Sequence, residues 1–195
     1  MESGKMLTLL KETGAMLDGH FLLTSGRHSD VYIEKFRILE NPRALDDVCL
    51  GMAEIVKNDN VDLVLGAAIG GILIAGGVGR HLGIRHIFSE RVNGKMELRR
   101  GFSIMKGQRL VIVEDIITTG GSVVELIELA KEQGAEILHV VNLVDRSSGN
   151  IDFGVPSTAL LTFPSVSWEP EHCPLCKQGM AITQRGRTGK KMEIV

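Results

Sequence analysis

From Val61 to Val144 the chain alternates between short runs of branched apolar residues and longer stretches with helical spacing, and no other feature limits the fold as tightly. Val61-Asp62-Leu63-Val64-Leu65, Arg85 to Phe88, Arg109 to Val113 and Ile137 to Val144 read as strands. Ile72 to Leu82 and Ser122 to Gln133 read as helices, the second closed by Gly134. Strands joined through helices run parallel, and the helices then cover both faces of the sheet. The expectation is an α/β fold with a mostly parallel central sheet flanked by helices.

The flanks are less regular. Lys5 to Leu17 has a weak helical pattern, with Met6, Leu9, Leu10 and Met16 roughly on one side. The stretch HFLLTSGRHSDVYIEKF that follows is broken at Ser25-Gly26 and predicts two short extended segments. Asn41 then Pro42 is a capping side chain followed by proline at the first helical turn, with Leu45, Val48, Cys49, Met52, Ile55 and Val56 at helical spacing behind it. With 195 residues, no internal repeat and no change of composition, one domain is expected. Residues 1–40 form an N-terminal flap, 41–165 the α/β core and 166–195 a loose tail that includes a short basic run from Arg185 to Lys191.

Composition excludes some partners. A formal net charge of -2 provides no field for nucleic acid or an anionic membrane. The apolar stretch from Val61 to Val78 is interrupted by five glycines and reads as strand, turn and helix rather than a bilayer span. Charged residues from Glu2 onward argue against a signal peptide, and three cysteines argue against a disulfide framework, so a cytoplasmic location is expected.

The chemistry concentrates in Leu110-Val111-Ile112-Val113-Glu114-Asp115-Ile116-Ile117-Thr118-Thr119-Gly120-Gly121-Ser122. Four apolar residues make a central strand, and two adjacent carboxylates follow at its C-terminal end, where open α/β sheets bind ligands. Thr-Thr-Gly-Gly-Ser then opens a helix with hydroxyls and free backbone N–H groups, a cradle suited to a phosphate monoester. Carboxylates beside a phosphate require something neutral or cationic between them, such as a ribose diol with Mg²⁺ nearby. No Gly-Lys-Ser/Thr follows the glycines, so this is not a Walker A loop.

The full string closely resembles the 5-phosphoribosyl 1-diphosphate (PRPP) motif of type I phosphoribosyltransferases, and the resemblance extends over nearly the whole chain. It implies the type I phosphoribosyltransferase fold, with the first 40 residues as a small hood. Within that family the chain looks most like the orotate enzymes of de novo pyrimidine (UMP) biosynthesis, glycosyltransferases that join PRPP and orotate into orotidine 5'-monophosphate and diphosphate. The resemblance carries Glu114, Asp115, Ile116, Ile117, Thr118, Thr119, Gly120, Gly121 and Ser122 over as PRPP contacts. Glu114 and Asp115 also count as catalytic residues with Lys95. Thr118, Tyr32 of the hood and Arg146 at the end of Leu143-Val144-Asp145-Arg146 are carried over as orotate contacts. An arginine fork matches the carboxylate by which orotate differs from uracil.

Glu90 to Gly101 looks like the family's mobile catalytic loop, with Arg91 and Lys95 as diphosphate ligands and Arg99 and Arg100 behind them. That loop reaches into a neighbouring subunit in the family, so a homodimer is implied. Many orotate enzymes carry lysine at two positions that hold Thr24 and Gly70 here, and Lys35 or Arg27 are the cations available to compensate. Two alternatives stay open: a phosphoribosyltransferase for a purine or for uracil, and a regulatory protein that senses PRPP on the same fold.

One further cluster stands apart. His172-Cys173-Pro174-Leu175-Cys176 offers a CxxC pair, but His172 is too close to serve as a comfortable third ligand and no second pair follows. The expectation is a reduced, packed or loosely redox-active turn.

Overall fold

The structure is a computed structural model, and it describes residues 1–147, 149–164 and 166–185. Of the expected basic run from Arg185 to Lys191, all but Arg185 lies outside the described residues. Among those described, no helix is long and apolar enough to cross a membrane.

The chain opens with helix α1, Ser3–Glu12, which buries Met6 and Leu10 one turn apart. Gly14 at φ 65° ends that run, so Met16 and Leu17 belong to a strand and not to the helix their spacing predicts. Strands β1, Met16–Leu22, and β2, His28–Ile33, pair antiparallel, with an irregularity between Asp18 and Phe21. A single-turn helix α2, Phe36–Leu39, leads to α3, Pro42–Val56, whose cap follows the sequence closely. The Asn41 side-chain oxygen accepts from the Arg43 and Ala44 N–H groups, both at 3.1 Å.

The core sheet contains β3, Leu63–Ala67, β4, Arg85–Val92, β5, Lys95–Leu98, β6, Arg109–Ile117, β7, Glu136–Asp145, and β8, Ser157–Thr162. Their order is β5-β4-β3-β6-β7-β8, and every neighbouring pair is parallel except β4 and β5. Helices α4, Gly70–Leu82, and α5, Gly121–Glu132, make two of the crossovers. Alternate β6 residues serve two separate cores. Val111 and Val113 pack with α3 and α4 through Val48, Met52, Ile74 and Val78. Leu110 and Ile112 pack with α5 through Val123, Leu126 and Ile127. The sheet is covered on both faces, as its uninterrupted apolar strands require.

Two parts of the chain differ from expectation. The segment from Glu90 to Gly101 is largely a β-hairpin, in which Arg91 faces Met96 and Val92 faces Lys95 across an Asn93-Gly94 turn. Both turn residues have positive φ, which an Asn-Gly pair tolerates and which closes a two-residue hairpin. The loose tail is also corrected: residues 166–185 pack against the hood. Helix α6, Pro174–Lys177, follows a single turn at Pro170–His172, and strand β9, Thr183–Gln184, pairs parallel with β1 to complete a three-stranded sheet, β2-β1-β9. The tail reads as polar and irregular because its order comes from long-range pairing, not from local periodicity.

Close packing behind the site depends on one glycine. A Cβ on Gly66, in the middle of β3, would lie 2.3 Å from the backbone oxygen of Gly71 at the start of α4. Backbone cannot yield as a flexible side chain can. Gly66→Ala should therefore destabilise the fold by about 1–3 kcal/mol, the range for overpacking, outweighing the roughly 0.4–1 kcal/mol that alanine contributes by restricting the unfolded chain. Urea denaturation checks this: a lower midpoint at unchanged slope is expected, and an unchanged midpoint refutes the packing argument.

Candidate active site

Strand β6 runs past its apolar core into Glu114 and Asp115, 7% and 3% exposed, both deep at the C-terminal end of the sheet. Their carboxylates first satisfy local backbone: Glu114 Oε1 accepts from the Asp115 N–H at 2.9 Å, and Asp115 Oδ1 from the Ile116 N–H at 2.6 Å. Burial, and then the neighbouring Asp115 charge, push the Glu114 carboxyl up to about 8. Lys35, just after β2, works the other way and places its Nζ 2.5 Å from Asp115 Oδ2. The site is thus an acidic pair with one cation against it.

Gly70 explains part of that arrangement. A Cβ there would fall 1.7 Å from Asp115 Oδ2, so no side chain fits at this position while Asp115 keeps its place. The cation reaches the carboxylates from the hood side instead, through Lys35. Arg27, the other candidate, is held elsewhere: its Nε donates to Ser167 Oγ at 2.9 Å, its Nη2 to the Ser167 carbonyl at 2.6 Å, and its Nη1 pairs with Glu169.

After Ile117 the chain turns through Thr118, Thr119 and Gly120 into α5. Gly120 takes φ 75°, and a Cβ on it would press to 3.0 Å against Ile151 and Phe153, so a glycine is required on two counts. Thr118 and Thr119 are exposed, and the turn forms a small concave surface from Glu114 to Val123 at the N-terminus of α5. N–H groups at such a helix start favour an anion.

Arg146 stands beside the turn, with its backbone N–H donating to the Ile117 carbonyl at 2.8 Å. It does not pair with Asp145, whose carboxylate accepts from the Ser147 and Gly149 N–H groups and the Ser147 hydroxyl. Burial pulls its guanidinium below the ordinary arginine value, with Tyr32 opposing, and its buried Nε has no hydrogen-bond partner among the described residues. Tyr32, half-buried on β2, stacks at a tilt on Phe21 with ring centroids 5.6 Å apart. Burial and then Glu34 push its phenol up, while Arg185 and Arg146 pull it down. Hood and core therefore meet where Lys35 pairs with Asp115, with Tyr32 and Arg146 near enough to act on each other electrostatically.

The loop cations are not gathered here. Arg91 donates to both Glu125 carboxylate oxygens on α5 at 2.9 Å and to the Gly94 carbonyl at 2.6 Å. Arg100 makes a two-pronged contact with Glu90. Lys95 and Arg99 are exposed on the hairpin. Within one chain the structure brings together Lys35, Glu114, Asp115, the turn from Thr118 to Ser122, Arg146 and Tyr32, and it leaves Arg91 and Lys95 on the hairpin.

Comparison with known proteins identifies the family. A phosphoribosyl transferase domain matches residues 36–153, which span β3 to β7 and the whole acidic turn. The orotate phosphoribosyltransferase of Desulforamulus reducens is 45% identical over 186 residues, covering 95% of this chain and 97% of that protein. Its counterpart from Thermotoga maritima is 45% identical over 183 residues, 94% of this chain and 98% of the other. Among solved structures, the orotate phosphoribosyltransferase from Aeropyrum pernix superposes with a TM-score of 0.68 at 28% identity, covering 81% of this chain and 93% of that one. The chain belongs to the phosphoribosyltransferase family.

Proposed function

We propose that the protein is an orotate phosphoribosyltransferase, moving the phosphoribosyl group of PRPP onto orotate to give orotidine 5'-monophosphate and diphosphate. The observation that carries the choice of base is Arg146: a partly buried guanidinium beside the phosphate turn, near the hood tyrosine, with no carboxylate paired to it among the described residues. A buried cation without a partner is costly, and a ligand carboxylate with matching geometry removes that cost. Orotate has such a group. Uracil and the purines do not.

In this reading the turn from Thr118 to Ser122 holds the 5'-phosphate through N–H groups and hydroxyls. Glu114 and Asp115 accept hydrogen bonds from the ribose 2'- and 3'-hydroxyls, and the ion pair with Lys35 holds Asp115 in place. Arg146 and Thr118 fix orotate by its carboxylate and ring edge, with Tyr32 against the ring. As the bond from C1 to diphosphate lengthens, positive charge builds on the ribose, and orotate N1 attacks the opposite face. The protein contributes placement and a preset electrostatic field, without a covalent intermediate. The hard oxygen donors of Glu114 and Asp115 suit Mg²⁺ carried in with PRPP, which would neutralise charge on the diphosphate.

Lys95, and Arg91 once released from Glu125, are the cations proposed to meet the leaving diphosphate. Since one chain keeps them on the hairpin, we place their target in a neighbouring subunit of a homodimer. Closure of that hairpin also excludes water, which would otherwise hydrolyse the activated sugar.

The base assignment is tested by steady-state kinetics with PRPP, Mg²⁺ and each base in turn. Arg146→Ala should lower kcat/KM for orotate about 10²–10³-fold, the loss of a charge-assisted pair, while PRPP affinity by calorimetry stays within a few-fold. Wild-type rates from Arg146→Ala would remove orotate and leave the PRPP site standing. Asp115→Asn should instead weaken PRPP binding as well as turnover, because it also leaves Lys35 without its anion.

Glu114 gives a pH prediction. Its folded value, about 8, lies above the ordinary 4.5, so the folded state holds this proton more tightly than the unfolded chain does. The resulting stabilisation is complete below the unfolded value and is lost as pH rises through the folded one. The stability of the ligand-free protein, taken relative to Glu114→Gln, should fall between pH 4.5 and 8 with a slope of at most about 1.4 kcal/mol per pH unit. A flat difference across that window, measured by chemical denaturation, contradicts the buried-acid reading.

A further inference from the structure

Away from the acidic turn, four side chains that the proposed reaction does not use converge at the far side of the hood. His20 lies in the irregular part of β1, and His28 begins β2. Cys173 caps α6, and Cys176 lies within it. One ligand atom from each, two imidazole nitrogens and two sulfurs, lies within 4.8 Å of every other. His20, His28 and Cys173 are at most 4% exposed, and Cys176 borders solvent.

The spacings match the edges of a coordination tetrahedron. For zinc bonds of about 2.05 Å to nitrogen and about 2.3 Å to sulfur, the edges are about 3.3 Å N–N, about 3.5 Å N–S and about 3.8 Å S–S. Here His20 Nε2 and His28 Nδ1 are 3.0 Å apart. Cys173 Sγ is 3.4 Å from His20 Nε2, and Cys176 Sγ is 3.3 Å from His28 Nδ1 and 3.8 Å from His20 Nε2.

A second observation fixes the chemistry of His20. Its Nδ1 lies 2.8 Å from the Met180 carbonyl oxygen, which accepts only, so Nδ1 carries the proton and Nε2 turns its lone pair into the cluster. An imidazole oriented by a backbone carbonyl on its outer nitrogen is the usual partner arrangement of a metal-bound histidine. The backbone holds the cluster on both sides. His28 and Trp168 exchange N–H···O bonds at 2.8 and 2.9 Å, and the Lys177 N–H donates to the Cys173 carbonyl at 3.3 Å.

We propose that His20, His28, Cys173 and Cys176 form a structural Zn²⁺ site that fastens the C-terminal segment to the hood. Two thiolates and two neutral imidazoles balance a dication, so the complex carries no net charge into a largely buried place. Two cysteine and two histidine donors in a tetrahedron favour zinc over harder cations, and with four protein ligands no position is left for substrate. The zinc closes a loop of more than 140 residues between His28 and Cys173. It also holds down the segment that provides β9 and the Ser167–Glu169 contacts to Arg27.

The test needs no catalytic activity, so it stands or falls apart from the orotate assignment. Full-length protein from zinc-supplemented culture, desalted and measured by plasma mass spectrometry, should hold about one zinc per chain. Replacement by Co²⁺ should give a sulfur-to-cobalt charge-transfer band and the intense visible bands of tetrahedral coordination. The Cys173→Ser/Cys176→Ser variant should lose zinc about tenfold or more and unfold at lower temperature, with its helix content by circular dichroism confirming that it folds. If that variant does not fold, the wild-type cobalt spectrum alone decides, since it reports thiolate ligation directly. The proposal is overturned by wild-type protein that neither contains nor takes up zinc or cobalt, by a Cys173–Cys176 disulfide in the freshly isolated chain, or by zinc retained in the double variant.

Discussion

Burying two neighbouring carboxylates at the end of a central strand is the constraint around which the rest of this molecule is arranged. Glu114 and Asp115 lose most of their water, and their mutual repulsion adds to that cost. Three features limit the penalty: backbone N–H groups that each carboxylate accepts from, the Lys35 ammonium on Asp115, and the proton that Glu114 holds to about pH 8. Each ties a different part of the chain to the site. Gly70 keeps the start of α4 clear of Asp115, and Lys35 ties the hood to the core. In the reaction proposed above, a ribose diol and a metal-bearing diphosphate are the groups that relieve what unfavourable energy remains.

Much of the core was legible because its signals are local. The fully buried strands β3 and β6 announce themselves as unbroken apolar runs, and the Asn41-Pro42 cap fixes the start of α3 to the residue. The acidic turn was legible for the same reason, since strand, carboxylates, hydroxyls and glycines occur in one short segment. What was missed depends on distant partners. Strand β8 is a brief run whose burial comes from β7 and from α1 and α3, and its polar ends hide its period. The order of residues 166–185 rests on pairing with β1 and β2, more than a hundred residues earlier, and nothing in the local pattern of SWEPEHCPLCKQGM announces it.

The missing lysine at position 70 shows how a motif argument and a structure differ. In the sequence Gly70 looks like a lost cation. In the fold it is a space requirement, with the Asp115 carboxylate occupying the volume where a side chain would begin. Positive charge reaches Asp115 from Lys35, on a different element. Arg27, equally plausible from the sequence, is taken by Ser167 and Glu169, because the tail that was expected to be loose comes back across the hood to reach it.

That returning tail bears on how the hood holds its tyrosine. A two-stranded hairpin is marginal alone, and β1 and β2 gain stability from a third strand, from α1 and from what anchors their other end. The cysteine and histidine cluster sits where β1 and β2 are joined by the Ser25-Gly26 turn, and Tyr32 sits toward the opposite end, paired with Leu17. Fixing one end of a short antiparallel ribbon limits twist and slippage along its length, because a shift of one residue would turn Tyr32 to the other face. An anchor at His20 and His28 therefore sets the register in which the ribbon presents Tyr32 on the side of Arg146. The two sites lie at opposite ends of one structural element, and the stiffness of that element is what connects them.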